Sequence, residues 1–202
     1  MRAKTILVWA CAALLSITSA GFARNAASLA LLPKDSIYQL QSEFVDQDGH
    51  AFKLSQRQGK VQLVAMFYTS CKYICPLIID SARGIDNALT HKEHARLRVL
   101  LISMDSARDT PAVLHSVMLK RKLDPLRWHL ARTDAQSVQR IAALLGVRLR
   151  ALTDGEFNHT SALILLDADG RILARTEKMG GVPDALFLAA VRAALAALNK
   201  SN

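Results

Sequence analysis

The stretch Val61-Gln-Leu-Val-Ala-Met-Phe67 runs directly into Tyr68-Thr-Ser-Cys71-Lys-Tyr-Ile-Cys75-Pro76. Its first seven residues are almost all apolar, which is typical of a strand buried on both faces of a sheet. Cys71 and Cys75 are about one helical turn apart. In the first turn of a helix their sulfur atoms would point the same way, with Cα atoms roughly 6 Å apart. This separation suits a disulfide or a two-thiolate metal site. We therefore predict a redox or soft-metal site at the end of a buried strand.

The rest of the chain alternates strand and helix patterns. Asp109-Thr-Pro111 begins one helix, with Thr110 as N-cap and Pro111 at the first helical position. Two βαβ units followed by a hairpin and a helix predict an α/β, thioredoxin-like fold with an N-terminal β-hairpin extension. The predicted order is a hairpin at 44–54, a strand at 61–67, a helix after Cys75, a strand at 98–104, a helix from Thr110, a strand at Leu130, a helix at 135–145, a hairpin at 161–175 and a helix at about 182–198.

The N-terminus has the pattern of an export signal. Arg2 and Lys4 supply a positive start, residues 5–15 form an apolar stretch, and the small residues at Ala20 and Ala23 offer cleavage sites. The alternative is an uncleaved membrane anchor, for which the apolar stretch is short. We therefore expect a cleaved signal peptide.

This pattern divides the chain into three parts. We expect a signal peptide at residues 1–23, a flexible leader at 24–36 and one thioredoxin-like domain at 37–202. The expected location is the periplasm, and an uncleaved signal segment would instead anchor the protein in the inner membrane.

Export makes the cysteines more informative. Cys11 lies inside the signal segment, so the mature chain would keep only Cys71 and Cys75. An oxidising compartment closes such a pair unless a metal or a reductant intervenes. A disulfide across so short a loop adds little stability, so a purely structural disulfide is the weaker explanation.

The chain is basic, with a formal net charge of +9. Its basic residues concentrate at 92–98, 120–127 and 139–150, where a solvated positive face is the simplest interpretation. Aromatic residues do not interleave with them, which argues against nucleic-acid binding. An acidic protein partner or anionic lipid stays compatible with this charge.

His159 is the third candidate site residue. In a thioredoxin-like arrangement the end of the 61–67 strand lies beside the start of the last hairpin, where His159 occurs. Two thiolates and an imidazole are a soft ligand set that suits Cu(I), or Cu(II) if a fourth ligand joins. Structural zinc usually takes four protein ligands. The alternative interpretation of His159 is a hydrogen-bonded loop histidine.

The residues around the cysteines also bear on their chemistry. A helix N-terminus lowers the pKa of a nearby thiol, and Lys72 adds positive charge, but both metal binding and disulfide exchange benefit from this. Thioredoxin-type exchangers place a cis-proline opposite their cysteines. This chain has no proline between Pro125 and Pro183, and His159 lies in that region instead, which favours metal ligation.

These motifs together resemble the Sco/SenC family. The resemblance covers about 37–202 and rests on Phe67-Tyr-Thr-Ser-Cys71-x-x-x-Cys75-Pro76, Arg108-Asp-Thr-Pro111, Asn158-His159 and Leu165-Leu-Asp-Ala-Asp-Gly170. Members of this family are thioredoxin-like copper proteins that help deliver copper to the dinuclear site of cytochrome c oxidase. Some are thought to reduce the oxidase's copper-binding cysteines.

The resemblance implies specific roles for the candidate residues. Cys71, Cys75 and His159 would be the copper ligands, binding one Cu(I) or Cu(II) per chain. The expected partner is the copper-binding subunit of cytochrome c oxidase or another cuproprotein. Asn158 departs from the family, because an aspartate often precedes the ligand histidine.

Two further functions remain open. A metal-independent periplasmic thiol-disulfide reductase would use Cys71 and Cys75 as a catalytic redox pair, and would make the protein an enzyme rather than an assembly factor. A peroxidase is the weaker alternative, because both cysteines in one helical turn do not match the peroxiredoxin layout. Other candidates have weaker patterns. Asp105, Arg108 and Asp109 follow a strand end near the cysteines and could orient the site, but helix capping already explains Asp109. We see no convergent partners for His50, His115 and His129.

Overall fold

The computed structural model describes residues 32–198. They form a seven-stranded mixed sheet in the order β2-β1-β5-β4-β3-β8-β9, and a separate two-stranded sheet of β6 and β7. The strands are β1 (Glu43–Asp46), β2 (Ala51–Lys53), β3 (Val61–Phe67), β4 (Leu97–Ser103), β5 (Trp128–Arg132), β6 (Leu149–Ala151), β7 (Phe157–His159), β8 (Leu163–Leu166) and β9 (Ile172–Thr176).

The apolar stretch at 61–67 is the predicted buried strand. All seven residues of β3 are buried, and β3 pairs in parallel with β4 and antiparallel with β8. Because neighbours cover both of its edges and side chains cover both of its faces, β3 forms the centre of the core. Phe67 lies opposite Ser103, so the chain segments that follow β3 and β4 begin side by side.

In the described part of the chain five α-helices accompany the sheet: α1 (Ile74–Asn87), α2 (His91–His94), α3 (Pro111–Arg121), α4 (Ala135–Leu144) and α5 (Ala185–Ala197). Thr110 caps α3, its hydroxyl accepting from the Val113 N–H, and Pro111 is the first helical residue, as predicted. The mixed α/β sheet and its helices confirm the predicted thioredoxin-like fold class. No helix within residues 32–198 is long and apolar enough to cross a membrane.

The structure adds several short elements to the predicted order, among them two 3₁₀-helices (Ile37–Gln39 and Leu54–Arg57), and corrects one boundary. The short helix α2 and the β6–β7 hairpin are new, and the hairpin includes the segment 157–159 that contains His159. The leader was expected to stay flexible up to residue 36, yet Ser36 is buried and its hydroxyl donates to the Asp169 carbonyl oxygen at 2.5 Å. The predicted signal peptide and the leader up to residue 31 lie outside the described residues.

Asp109 fastens the segment that follows β3 to the segment that follows β4. Its carboxylate is fully buried and accepts from the Thr69 backbone N–H at 3.1 Å, from the Thr69 hydroxyl and from the Ser103 hydroxyl at 2.5 Å. The explanation of Asp109 as part of the helix cap is therefore wrong, since Thr110 alone caps α3. Asp109 instead holds the loop that leads to Cys71.

We expect Asp109→Asn to lower the free energy of unfolding by about 2 kcal/mol. The carboxylate now accepts hydrogen bonds from buried donors. The NH₂ group of an asparagine is itself a donor, so it would leave some of these buried groups without a partner. Urea unfolding followed by circular dichroism measures the change. Asp35→Asn, at an exposed carboxylate, is the matched control and should change stability by less than about 0.5 kcal/mol. Equal unfolding midpoints for the two variants would contradict this role of Asp109.

Candidate metal centre

Cys71 and Cys75 meet at the start of α1. Cys75 lies in the first helical turn, whereas Cys71 precedes the helix in the loop after β3. The Cys75 backbone N–H points at the Cys71 sulfur at 3.4 Å, and the Tyr68 backbone N–H points at the Cys75 sulfur at 3.4 Å. Both residues are buried free thiols, with Cys71 9% exposed and Cys75 2% exposed. The structure therefore brings the two predicted thiols together.

The pKa values of the two thiols are shifted in opposite directions. Burial raises the pKa of the Cys71 thiol, but hydrogen bonds from backbone N–H groups at the start of α1 and from the Cys75 thiol outweigh burial, so its pKa lies below the ordinary value. Deeper burial, with the neighbouring Cys71, raises the pKa of Cys75 well above the ordinary value. The expected lowering at a helix N-terminus is confirmed for Cys71 and is wrong for Cys75.

His159 ends β7 and presents one free nitrogen. Its Nδ1 lies 3.3 Å from the Thr160 carbonyl oxygen, an acceptor, so Nδ1 is the nitrogen that carries the proton. Nε2 is buried and has no hydrogen-bond partner among residues 32–198. Burial lowers the pKa of His159, so the ring is neutral near pH 7 and Nε2 keeps its lone pair. A buried, unpartnered lone pair is the donor that a soft metal ion needs.

The imidazole and the thiols do not yet form one closed ligand set. Cys71, Cys75 and His159 do not place one ligand atom each within 4.8 Å of the others in the part of the chain that the structure describes. Tyr68 contacts both groups, because its ring meets the His159 ring edge-on at a centroid distance of 5.9 Å and its backbone N–H points at Cys75. Tyr68 is therefore the residue through which the cysteine loop and the β6–β7 hairpin meet.

Polar contacts hold the β6–β7 hairpin against the cysteine loop. The Tyr68 hydroxyl donates to the Glu156 carboxylate at 2.8 Å. Burial, together with this hydrogen bond, raises the pKa of Tyr68, so the hydroxyl keeps the proton that it donates. Arg108 pairs with Asp105 after β4 and donates to the Gly155 carbonyl oxygen at 2.5 Å. These contacts position the hairpin that carries His159.

Tyr68 and Glu156 are the site residues that the sequence analysis missed. Tyr68 was already part of the quoted cysteine motif, which was the available signal. No sequence signal indicated Glu156, since only the folding of the hairpin brings it to Tyr68. Asn158, which departs from the family pattern, is exposed and alternates with Phe157 and His159 along β7. The Thr160 carbonyl, and not the Asn158 side chain, fixes the His159 ring.

His50, His115 and His129 have partners, contrary to expectation. Asp46, Asp48 and His50 place one ligand atom each within 4.8 Å of one another in the turn of the first hairpin. His115 Nδ1 lies 3.1 Å from the Asp48 carboxylate, and His129 Nδ1 lies 4.0 Å from that of Asp46. Because Asp46 also accepts the Asp48 and His50 backbone N–H groups, turn formation and ion pairing explain this group.

The chain matches a known family over most of its length. Residues 33–195 match the family model described as SCO1/SenC. A protein of Stutzerimonas stutzeri, provisionally described as copper-binding, is 27% identical over 85% of this chain and 84% of its own length. An SCO2-like protein of Rickettsia typhi is 26% identical over 65% of this chain and 66% of its own length.

Solved structures show the same fold. Copper-bound ScoI of Bradyrhizobium japonicum is 24% identical and matches 79% of this chain and 96% of its own, with a TM-score of 0.61. A SCO1/SenC family lipoprotein of Bacillus anthracis is 18% identical and matches 75% of this chain and 91% of its own, with a TM-score of 0.67. Because the family model spans residues 33–195, most of the chain's length, this chain belongs to the SCO1/SenC family.

Proposed function

We propose that this protein is a copper metallochaperone that assists assembly of a copper site in cytochrome c oxidase. It would bind one copper ion through Cys71, Cys75 and His159. The observation that carries the proposal is the buried, unpartnered Nε2 of His159, which Tyr68 links to two free thiols. The copper-bound ScoI of Bradyrhizobium japonicum, a protein of the same fold, supports copper as the cargo.

The donor set suits a transferable cargo. Two thiolates and one imidazole bind Cu(I) well, and Cu(II) when a fourth ligand joins. A thiol must lose its proton, and an imidazole must be neutral, before it can bind the metal. The lowered pKa of Cys71 favours its thiolate, and the lowered pKa of His159 favours its neutral ring. Cys75 would release its proton only when the metal arrives.

Transfer would proceed by ligand exchange. Thiolates of a metal-free partner displace the donor ligands one at a time, so copper stays bound throughout and never enters solution. Cys71 is the more accessible thiol, and Cys75 is almost fully buried. The recipient would be the copper-binding subunit of cytochrome c oxidase or another cuproprotein. We further propose that the chain is exported to the periplasm, with residues 1–23 as its signal.

We expect His159→Ala to weaken copper binding at least about tenfold, because one of three ligands is lost. Anaerobic competition of the reduced, signal-free protein with a chromophoric Cu(I) chelator measures the affinity and the expected one equivalent per chain. Replacing either cysteine by serine should abolish tight binding. His115→Ala, at an exposed histidine, is the control and should bind copper like the wild type. Unchanged affinity in His159→Ala would contradict the three-ligand site.

One observation favours a second function, a metal-independent thiol-disulfide reductase. Disulfide exchange needs an accessible thiol that ionises easily and a second thiol nearby to resolve the mixed disulfide. Cys71 has the lowered pKa and the greater exposure, and the buried Cys75 lies beside it. This pair would act on cysteines of a cuproprotein without requiring His159.

We expect iodoacetamide at pH 7 to modify Cys71 at least about tenfold faster than Cys75 in the reduced, metal-free protein, because only thiolates react quickly. Mass spectrometry of digested samples taken over time identifies the modified cysteine. One equivalent of Cu(I) should protect both thiols if the metallochaperone function is correct. Rapid turnover of a model disulfide that is unaffected by His159→Ala, with no tight copper binding, would favour the reductase.

A further inference from the structure

Two cavities follow one another from the cysteine pair along the space between α1 and α3 and together form a groove, which the Arg121–Asp80 ion pair crosses at 3.1 Å. These cavities, of about 510 and 490 Å³, share Lys120 and Arg121 in their linings. We define the basic groove by six of its lining residues: Lys72, Cys75, Ile79, Lys120, Arg121 and Lys122. Cys75 and Asp86 mark its two ends on α1 and lie roughly 17 Å apart along the helix, the length of about five extended residues.

The groove carries unpaired positive charge. Its carboxylates are already occupied, since Asp86 lies 2.5 Å and Asp124 2.8 Å from Arg127. Three exposed lysines, Lys72, Lys120 and Lys122, form no ion pair within residues 32–198. The basic residues at 120–127 therefore fall into two groups. The arginines form ion pairs, whereas the lysines line the groove and have no acidic partner among the described residues.

Lys122, at the edge of the groove, has an unfavourable backbone conformation. It ends α3 in the left-handed conformation, with φ 51° and ψ 47°, and is the only residue other than glycine with positive φ in the described part of the chain. Glycine is the usual residue at such a helix end, because a side chain is disfavoured there. Strained positions that persist tend to have a functional reason.

We propose that the basic groove docks an acidic segment of the protein that exchanges copper with Cys71 and Cys75. This inference rests on the proposed function and adds the chemistry of the partner to it. Lysines at the rim would steer an acidic segment into the groove and set its register beside the thiols. The docking segment of the partner would be about five residues long, would include acidic residues, and would lie next to the partner's metal-binding thiols.

A protein segment suits this groove better than an anionic lipid surface. The groove is concave and ends at a thiol that is only 2% exposed, so an occupant must enter it to reach Cys75. A bilayer surface is too broad to enter, whereas an extended chain is narrow enough. Charge attraction alone would serve either occupant, so the test includes both.

The test uses reduced, metal-free protein and two labelled synthetic peptides. Each has two serines in place of cysteines, followed in one by about five glutamates and in the other by the same number of glutamines. Fluorescence anisotropy at low salt should show at least about tenfold tighter binding of the glutamate peptide. Lys120→Gln and Lys122→Gln should each weaken that binding about threefold. Lys60→Gln is the matched control, since Lys60 is an exposed lysine at the opposite end of β3.

Lys122→Gly separates docking from folding. Removing the side chain from a left-handed position should raise the melting temperature, while the loss of one charge should weaken binding of the glutamate peptide about threefold. A protein that becomes more stable and binds less well cannot owe its weaker binding to unfolding. Unchanged peptide binding in this variant and in Lys120→Gln would overturn the groove assignment.

Other results would also overturn the proposal. Equal affinity for the two peptides would exclude recognition of acidic segments. Lysine-dependent binding to phosphatidylglycerol vesicles, without preference for the glutamate peptide, would make the groove a lipid-binding surface. Because the peptide assay contains no metal, its failure leaves the copper affinity of the wild type intact as a separate result. Failure to bind copper would overturn the proposed function instead.

Discussion

The complete burial of β3 is the constraint on which the rest of the structure depends. No residue of β3 is more than 1% exposed, and β4 and β8 pair with its two edges. The cysteine loop continues from its last residue, and Asp109 fastens that loop to the end of the parallel strand β4. The thiols therefore follow a fully buried strand that is paired on both edges, where a loop alone would leave their positions variable.

The two parts of the candidate metal centre have different support. Cys71 and Cys75 are attached to the central strand, whereas His159 lies on a hairpin outside the main sheet. A few contacts from Tyr68, Glu156 and Arg108 hold that hairpin in place. Local stability follows buried contacts, so the hairpin can adjust to a ligand at less cost than the strand can. This division would suit the proposed function, in which copper is both held and released.

Most of the fold could be predicted because its signals are local. Six apolar residues among the seven from Val61 to Phe67 predict β3, and Thr110-Pro111 predicts the start of α3. The β6–β7 hairpin was missed because its strands are three residues long and partly exposed, which leaves no apolar pattern. Asp109 was among the residues that could orient the site, but its position before a capping threonine favoured a local function, whereas its hydrogen-bond partners are 6 and 40 residues away.

The sequence by itself determined the fold class, the family and the adjacency of Cys71 and Cys75, since these depend on neighbouring residues and on motif order. Only the tertiary structure decided the unequal environments of the two thiols, the partner of the Tyr68 hydroxyl and the free Nε2 of His159. It also decided that Lys72, Lys120 and Lys122 share one groove with the cysteines. The physical reason is that burial, hydrogen bonding and shared charge depend on distances between residues far apart in the chain.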